Sequence, residues 1–170
     1  MVSSPTISPL GFRRFRQATA QLAAKSVTPF VHRWILRQEA IIQRQGRPLV
    51  AAEIAFARFI GLAKPENVRI LNVVRMPLPA GWLLKFIARF SRVVLADPVA
   101  LTAGRGIYLQ AAIADDPVVI RHELVHVRQY ERLGRQLFLK RYIRECLVEG
   151  YVGAPLEKEA RYLSASIDSG

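Results

Sequence analysis

His122 and His126, four residues apart, with Glu123 beside the first, are the residues of this chain whose types and spacing could do chemistry. They stand in a His-Glu-Leu-Val-His run within a segment that reads as a helix from Asp116 to Leu133. Four-residue spacing on a helix puts both imidazoles on one face, close enough to share a metal ion. Glu123, rotated about a third of a turn away, stands where a carboxylate takes a proton from a metal-bound water without being a ligand itself. The pattern predicts Zn²⁺ and hydrolysis of a peptide bond, with Glu123 as general base. Val118, Val119, Ile120, Leu124, Val125 and Val127 predict a buried mounting for it.

A catalytic zinc site wants three protein ligands and an open fourth position. The chain has three histidines in all. His32 lies far upstream in an Arg-rich helical stretch and reads as a half-buried structural residue. No histidine follows His126, and the metzincin positions are occupied by Gln129 and Arg132. Cys146, inside Ile143-Arg144-Glu145-Cys146-Leu147-Val148, reads as packing. A downstream carboxylate remains, in Leu156-Glu157-Lys158-Glu159-Ala160: Glu157 is the first choice and Glu159 the second. Acids in a first helical turn also favour the helix dipole with no metal involved. Tyr151 is the candidate donor to a developing oxyanion, with Tyr108 and Tyr130 as rivals.

His122-Glu123-Leu124-Val125-His126 with Gln129, followed by Glu157-x-x-Ala160 on a later helix, resembles the gluzincins. The resemblance covers residues 67–166 and is closer still to compact bacterial domains of that type. In these an extended Gly-x-Ile-x-Leu segment precedes the metal helix; Gly106-Ile107-Tyr108-Leu109 is the nearest match, one residue tighter. The resemblance implies a zincin-like fold and a glutamate third ligand. It also implies a sheet-edge strand at Gly106, Ile107 and Tyr108, along which a peptide or protein substrate is laid antiparallel. Arg161 stands where the family has an Asp that holds a ligand histidine by its outer nitrogen. Glu159, a backbone carbonyl or Asp115 are the possible substitutes.

The elements that must position these residues follow from periodicity and punctuation. Residues 11–25 carry helical spacing, Thr28-Pro29 reads as the start of a second helix to Arg44, and Pro48 to Leu62 as a third. Asn67 to Val74 reads as a strand, Ala80 to Phe90 as a short helix, and Val93 to Leu95 as extended. Leu101 to Gln110 looks extended, with Gly104 and Gly106 marking a bend or bulge. Asp116-Pro117 opens the metal helix and Gly134 stops it. Helices then run from Arg135 to Glu149 and from Pro155 to Ser166. Helices, a few strands, then helices make an α+β domain with a small mixed sheet. Residues 1–66 form a helical extension packed on a 67–170 catalytic domain, in one compact unit.

The 170 residues suit a single domain with a real core. The net charge of +12 is uneven, with 10 basic and 2 acidic side chains in residues 1–64. Arg outnumbers Lys 20 to 5, which by itself reads as compositional bias spread over amphipathic helices. The alternatives to a peptidase are a basic module for an anionic membrane surface or nucleic acid, and an inactive zinc-binding scaffold. Nucleic acid is disfavoured because aromatic and basic residues are not interleaved in a recognisable motif. The Ser/Pro-rich start and the single Cys146 point to a cytoplasmic protein, with the inner membrane surface as a further address.

Overall fold

The structure is a computed structural model that describes residues 9–78 and 98–166. Its elements are α1 (Pro9–Gln45), β1 (Arg47–Pro48), α2 (Ala51–Phe59), β2 (Arg69–Val73), β3 (Ala100–Ala103), β4 (Gly106–Gln110), α3 (Pro117–Leu133), α4 (Arg135–Gly153) and α5 (Pro155–Ala165). The class is α+β, mostly helical, with one small mixed sheet. Strand order is β1-β2-β4-β3. β2 and β4 run parallel, with Ile70 opposite Ile107, and the two outer pairings are antiparallel.

Alternation along β4 divides the core in two. Ile107 and Leu109 face a cluster with Phe56 of α2, Ile60 just past its end, and Ile120, Leu124 and Val127 of α3. Tyr108 faces the opposite cluster, built from Val27, Val31, Ile35 and Ile42 of α1 with Phe138, Leu139 and Ile143 of α4. Gly106 shares the Tyr108 face, and a Cβ there would lie 2.7 Å from a methyl carbon of Ile42. The residue is small so that α1 can lie close against the sheet. Across the hairpin turn Gly104 has φ +63°, and its Cα faces the Glu39 carboxylate. That carboxylate accepts the Arg105 N–H at 2.9 Å and pairs with Arg135 at 2.7 Å.

Several expected boundaries move. The two N-terminal helices are one, with Pro29 inside α1. Thr28 is no N-cap: its hydroxyl donates to the Ala24 carbonyl at 2.6 Å, within the helix. Proline removes one backbone bond, but the apolar row of α1 packed along the sheet and α4 outweighs that local loss. The third helix starts later, at Ala51, because Arg47 and Pro48 join the sheet instead. Residues 101–110 are two strands and a tight turn, so the expected bend is a full reversal. α4 runs on to Gly153 with a break at Gly150, where φ is 74° and ψ 165°. The expected helix at 80–90 and the extended piece at 93–95 lie outside the described residues. Among the described residues no helix is long and apolar enough to cross a membrane.

Candidate metal centre

α3 begins where the Asp116 carboxylate accepts the Val118 and Val119 N–H groups, at 2.9 and 3.2 Å, with Pro117 in the first turn. From that fixed start His122 and His126 project one turn apart, with Nε2 atoms 3.1 Å from each other. Glu157 reaches them from the first turn of α5 and is 1% exposed. Its Oε2 lies 3.3 Å from His122 Nε2 and its Oε1 3.3 Å from His126 Nε2. Tetrahedral bonds of about 2.0–2.1 Å would separate neighbouring donor atoms by roughly 3.3 Å, so the three side chains fit one cation. The hydrogen bonding agrees: Glu157 Oε2 is buried with no hydrogen-bond partner. Its charged neighbours are His122 Nε2 at 3.3 Å and Arg161 at 3.6 Å, and a cation between the three side chains would give that oxygen a direct partner. Burial opposes ionisation of Glu157, but the two imidazoles and Tyr142 together hold its carboxylate well below the usual range. Burial likewise opposes charge on His126, and Glu157 and Glu123 outweigh it and raise its pKa.

α4 aims Glu157. The positive φ at Gly150 and the Ala154-Pro155 corner reverse the chain, so α5 can lie against both α3 and α4. Buried Glu145 on α4 accepts the Leu156 N–H at 2.9 Å and is held by Arg141 at 2.6 Å. It does for α5 what an N-cap side chain does elsewhere. One turn earlier on α4, Tyr142 donates its hydroxyl to Glu157 Oε1 at 2.7 Å. Neither Glu145 nor Tyr142 was singled out from the sequence, since their roles depend on a helix reversal that no local pattern announces.

His126 is oriented from behind by fully buried Gln129, whose Oε1 lies 2.8 Å from His126 Nδ1. Gln129 Nε2 donates to the Leu156 carbonyl at 2.9 Å and to Glu159 at 3.1 Å. Both of those partners are acceptors, so the amide can face only one way. His126 Nδ1 must then carry a proton, and in the neutral ring Nε2 turns its lone pair toward Glu157 and His122. Arg128 and Arg132 fix Glu159 in turn, at 3.1 and 3.0 Å. Of the residues expected to stand in for the family's Asp, Glu159 reaches His126 only through Gln129 and lies outside the group of His122, His126 and Glu157. Asp115 faces away, beside an apolar hollow with Phe56, Phe59 and Leu124 on the other flank of α3. Arg161 donates to the Val152 carbonyl and comes within 3.6 Å of Glu157 Oε2. Gln129 was legible in principle, because an amide three residues after a histidine shares its helix face.

Glu123 is buried beside the cluster, and the Thr102 hydroxyl of β3 donates to its Oε2 at 2.5 Å. Thr102 is a further residue that sequence reasoning missed. Tyr151 is 44% exposed and within hydrogen-bonding reach of Glu157; burial and that carboxylate push its pKa up. The rival tyrosines are elsewhere: Tyr108 donates its hydroxyl to Gln38 of α1, and Tyr130 packs on Phe138. Cys146 lies outside the ligand group, and burial followed by Glu157 pushes its thiol up to about 12. His32 lines a separate hollow with Lys25 and Lys140.

The expected substrate edge is corrected. Gly106, Ile107 and Tyr108 are buried in β4, which is paired on both sides, and cannot take an added strand. The hairpin turn at Gly104 places β3 outside β4, so among the described residues β3 is the sheet margin nearest Glu123. Comparison with known proteins finds no matching family model, no similar curated protein and no similar solved structure.

Proposed function

We infer that the chain is a zinc-dependent hydrolase of gluzincin type acting on peptide bonds. One observation carries the reading: two imidazole nitrogens and a buried carboxylate at tetrahedral spacing, one of whose oxygens has no hydrogen-bond partner. A second carboxylate, Glu123, stands beside them and is held separately. A bound Zn²⁺ would lower the pKa of a water and polarise a carbonyl. His122, His126 and Glu157 would hold it. Glu123, its Oε2 engaged by Thr102, has Oε1 to receive the water's proton and return it to the leaving amine. Tyr151 is the residue with exposure and reach to donate to a developing oxyanion. An extended substrate would lie along β3, the margin strand whose Thr102 touches the base.

Metal content of the purified protein is the first test. The native chain should carry zinc, and His126→Ala and Glu157→Ala should lose it. Zinc retained by Glu157→Ala would remove the third ligand from the proposal. A peptide-library digest with and without chelator then tests turnover. Glu123→Gln should keep the zinc and lose about 10²–10⁴-fold in rate; undiminished cleavage would rule out Glu123 as the base.

A further inference from the structure

α1 has two unlike faces. Inward, Ala24, Val27, Val31, Ile35 and Ile42 pack into the core. Glu39, the only acidic residue between positions 16 and 45, is also turned inward and is neutralised by Arg135. Outward, Lys25, Arg33, Arg37 and Arg44 are all exposed, and no acidic side chain of the helix stands among them. Large aliphatic residues lie between these cations: Leu22 is 66% exposed, Leu36 41% and Ile41 39%. At about 100° per residue the four cations, Leu22 and Leu36 fall within a sector of roughly 120°. From Leu22 to Arg44 the stripe is about 33 Å long. On one flank it continues into a hollow of about 460 Å³ lined by Lys25, His32 and Lys140.

A solvated helix face mixes charges of both signs and keeps its large aliphatics inward. Here one sign is interleaved with exposed aliphatics over six turns. Polyanions and lipid surfaces both attract such a cation row, but they treat the aliphatics differently. Leucine and isoleucine gain nothing against a phosphodiester backbone. Against a bilayer they enter the boundary between headgroups and acyl chains while the cations stay at headgroup level.

We propose that the outward face of α1 docks on an anionic lipid bilayer, with the helix lying in the plane of the surface. Lys25, Arg33, Arg37 and Arg44 meet the headgroups, and Leu22 and Leu36 enter the interface between them. No crossing helix is needed, and none of the described helices could supply one. The inference is independent of the metal site.

The full chain should co-sediment with vesicles of phosphatidylcholine plus phosphatidylglycerol at low salt, and not with phosphatidylcholine alone. The Arg33→Glu/Arg37→Glu double variant should weaken that binding by at least about tenfold. Leu22→Ser/Leu36→Ser should weaken it severalfold at every salt concentration, because its loss is apolar. All four positions are exposed, and circular dichroism with thermal melts checks that the variants keep the fold. Equal binding to neutral vesicles, or full binding by the Arg double variant, overturns the proposal. So does binding of duplex nucleic acid that depends on the same arginines in a chain that ignores vesicles.

Discussion

The seam between α3 and α5 and the outer face of α1 use polar side chains in opposite ways. In the seam nearly every polar atom has an assigned partner: Gln129 uses its carbonyl and its amide hydrogens, and Glu159 is held by two arginines. The exception is one oxygen of Glu157, which has charged neighbours at 3.3 and 3.6 Å but no hydrogen bond. On α1 the four cations are exposed, and among the described residues no acidic side chain pairs with them. In a low-dielectric interior an unpartnered atom is costly and therefore informative. At the surface an unpartnered charge costs almost nothing, so only its company carries meaning: one sign throughout, with aliphatics between. The first argument is about single atoms and the second about a pattern.

The largest effect should come from filling the orphaned position. Zinc at about a hundredfold over its dissociation constant should add about 2.7 kcal/mol to stability, read as a rise in the thermal midpoint that chelator reverses. The Glu157→Ala variant should lose that rise. If the native chain melts at the same temperature with and without zinc, the seam is complete without a metal and the contrast fails.

Next comes the orientation of His126. Gln129→Leu should lower zinc affinity about 10–100-fold, whereas Glu159→Ala should cost less, since the Leu156 carbonyl still holds one amide hydrogen. In the Gln129→Leu background, Glu159→Ala should add nothing. Nitrogen NMR of the metal-free protein, at a pH where the ring is neutral, should show the Nδ1–H form of His126. An Nε2–H form would mean that the amide faces the other way.

A smaller effect is expected at Thr102. Thr102→Val preserves shape and removes the hydroxyl that holds Glu123, so turnover should fall roughly tenfold with zinc content unchanged. Lost zinc would instead make Thr102 a structural prop of the whole cluster. The smallest is at Cys146, whose thiol, raised to about 12, is protonated at neutral pH. Because the thiolate is the reactive form, alkylation at pH 8 should be much slower in the folded chain than in denatured chain. Rapid modification would show that the α4 side of the seam opens readily.

Much of α3 was legible in the sequence. The span from Asp116 to Gly134, its cap, its stop and the shared face of His122 and His126 depend on a period of 3.6 residues and on local backbone chemistry. Glu157 emerged because the chain has so few other ligands after His126. α1 was misread at Thr28-Pro29, where a strong local signal is overridden by contacts with residues more than 100 positions away. β4 was misread as an edge because position in a sheet depends on partners. Nothing within Gly106-Ile107-Tyr108-Leu109 records that β2 lies on one side and β3 on the other.

By itself, then, the sequence determined the α3 helix, the shared face of His122 and His126 and the side of Glu123, because each follows from one helical period within a few residues. Only the tertiary structure decided the rest. Glu157 meets the histidines because Gly150 and Glu145 reverse the chain at the right place. His126 presents Nε2 because an amide on its own helix is locked by a carbonyl and a carboxylate of another. Glu123 is held by a threonine that arrives from the sheet margin 21 residues earlier. Contacts between elements are set by packing and by satisfying buried polar groups, and these constraints have no period along the chain.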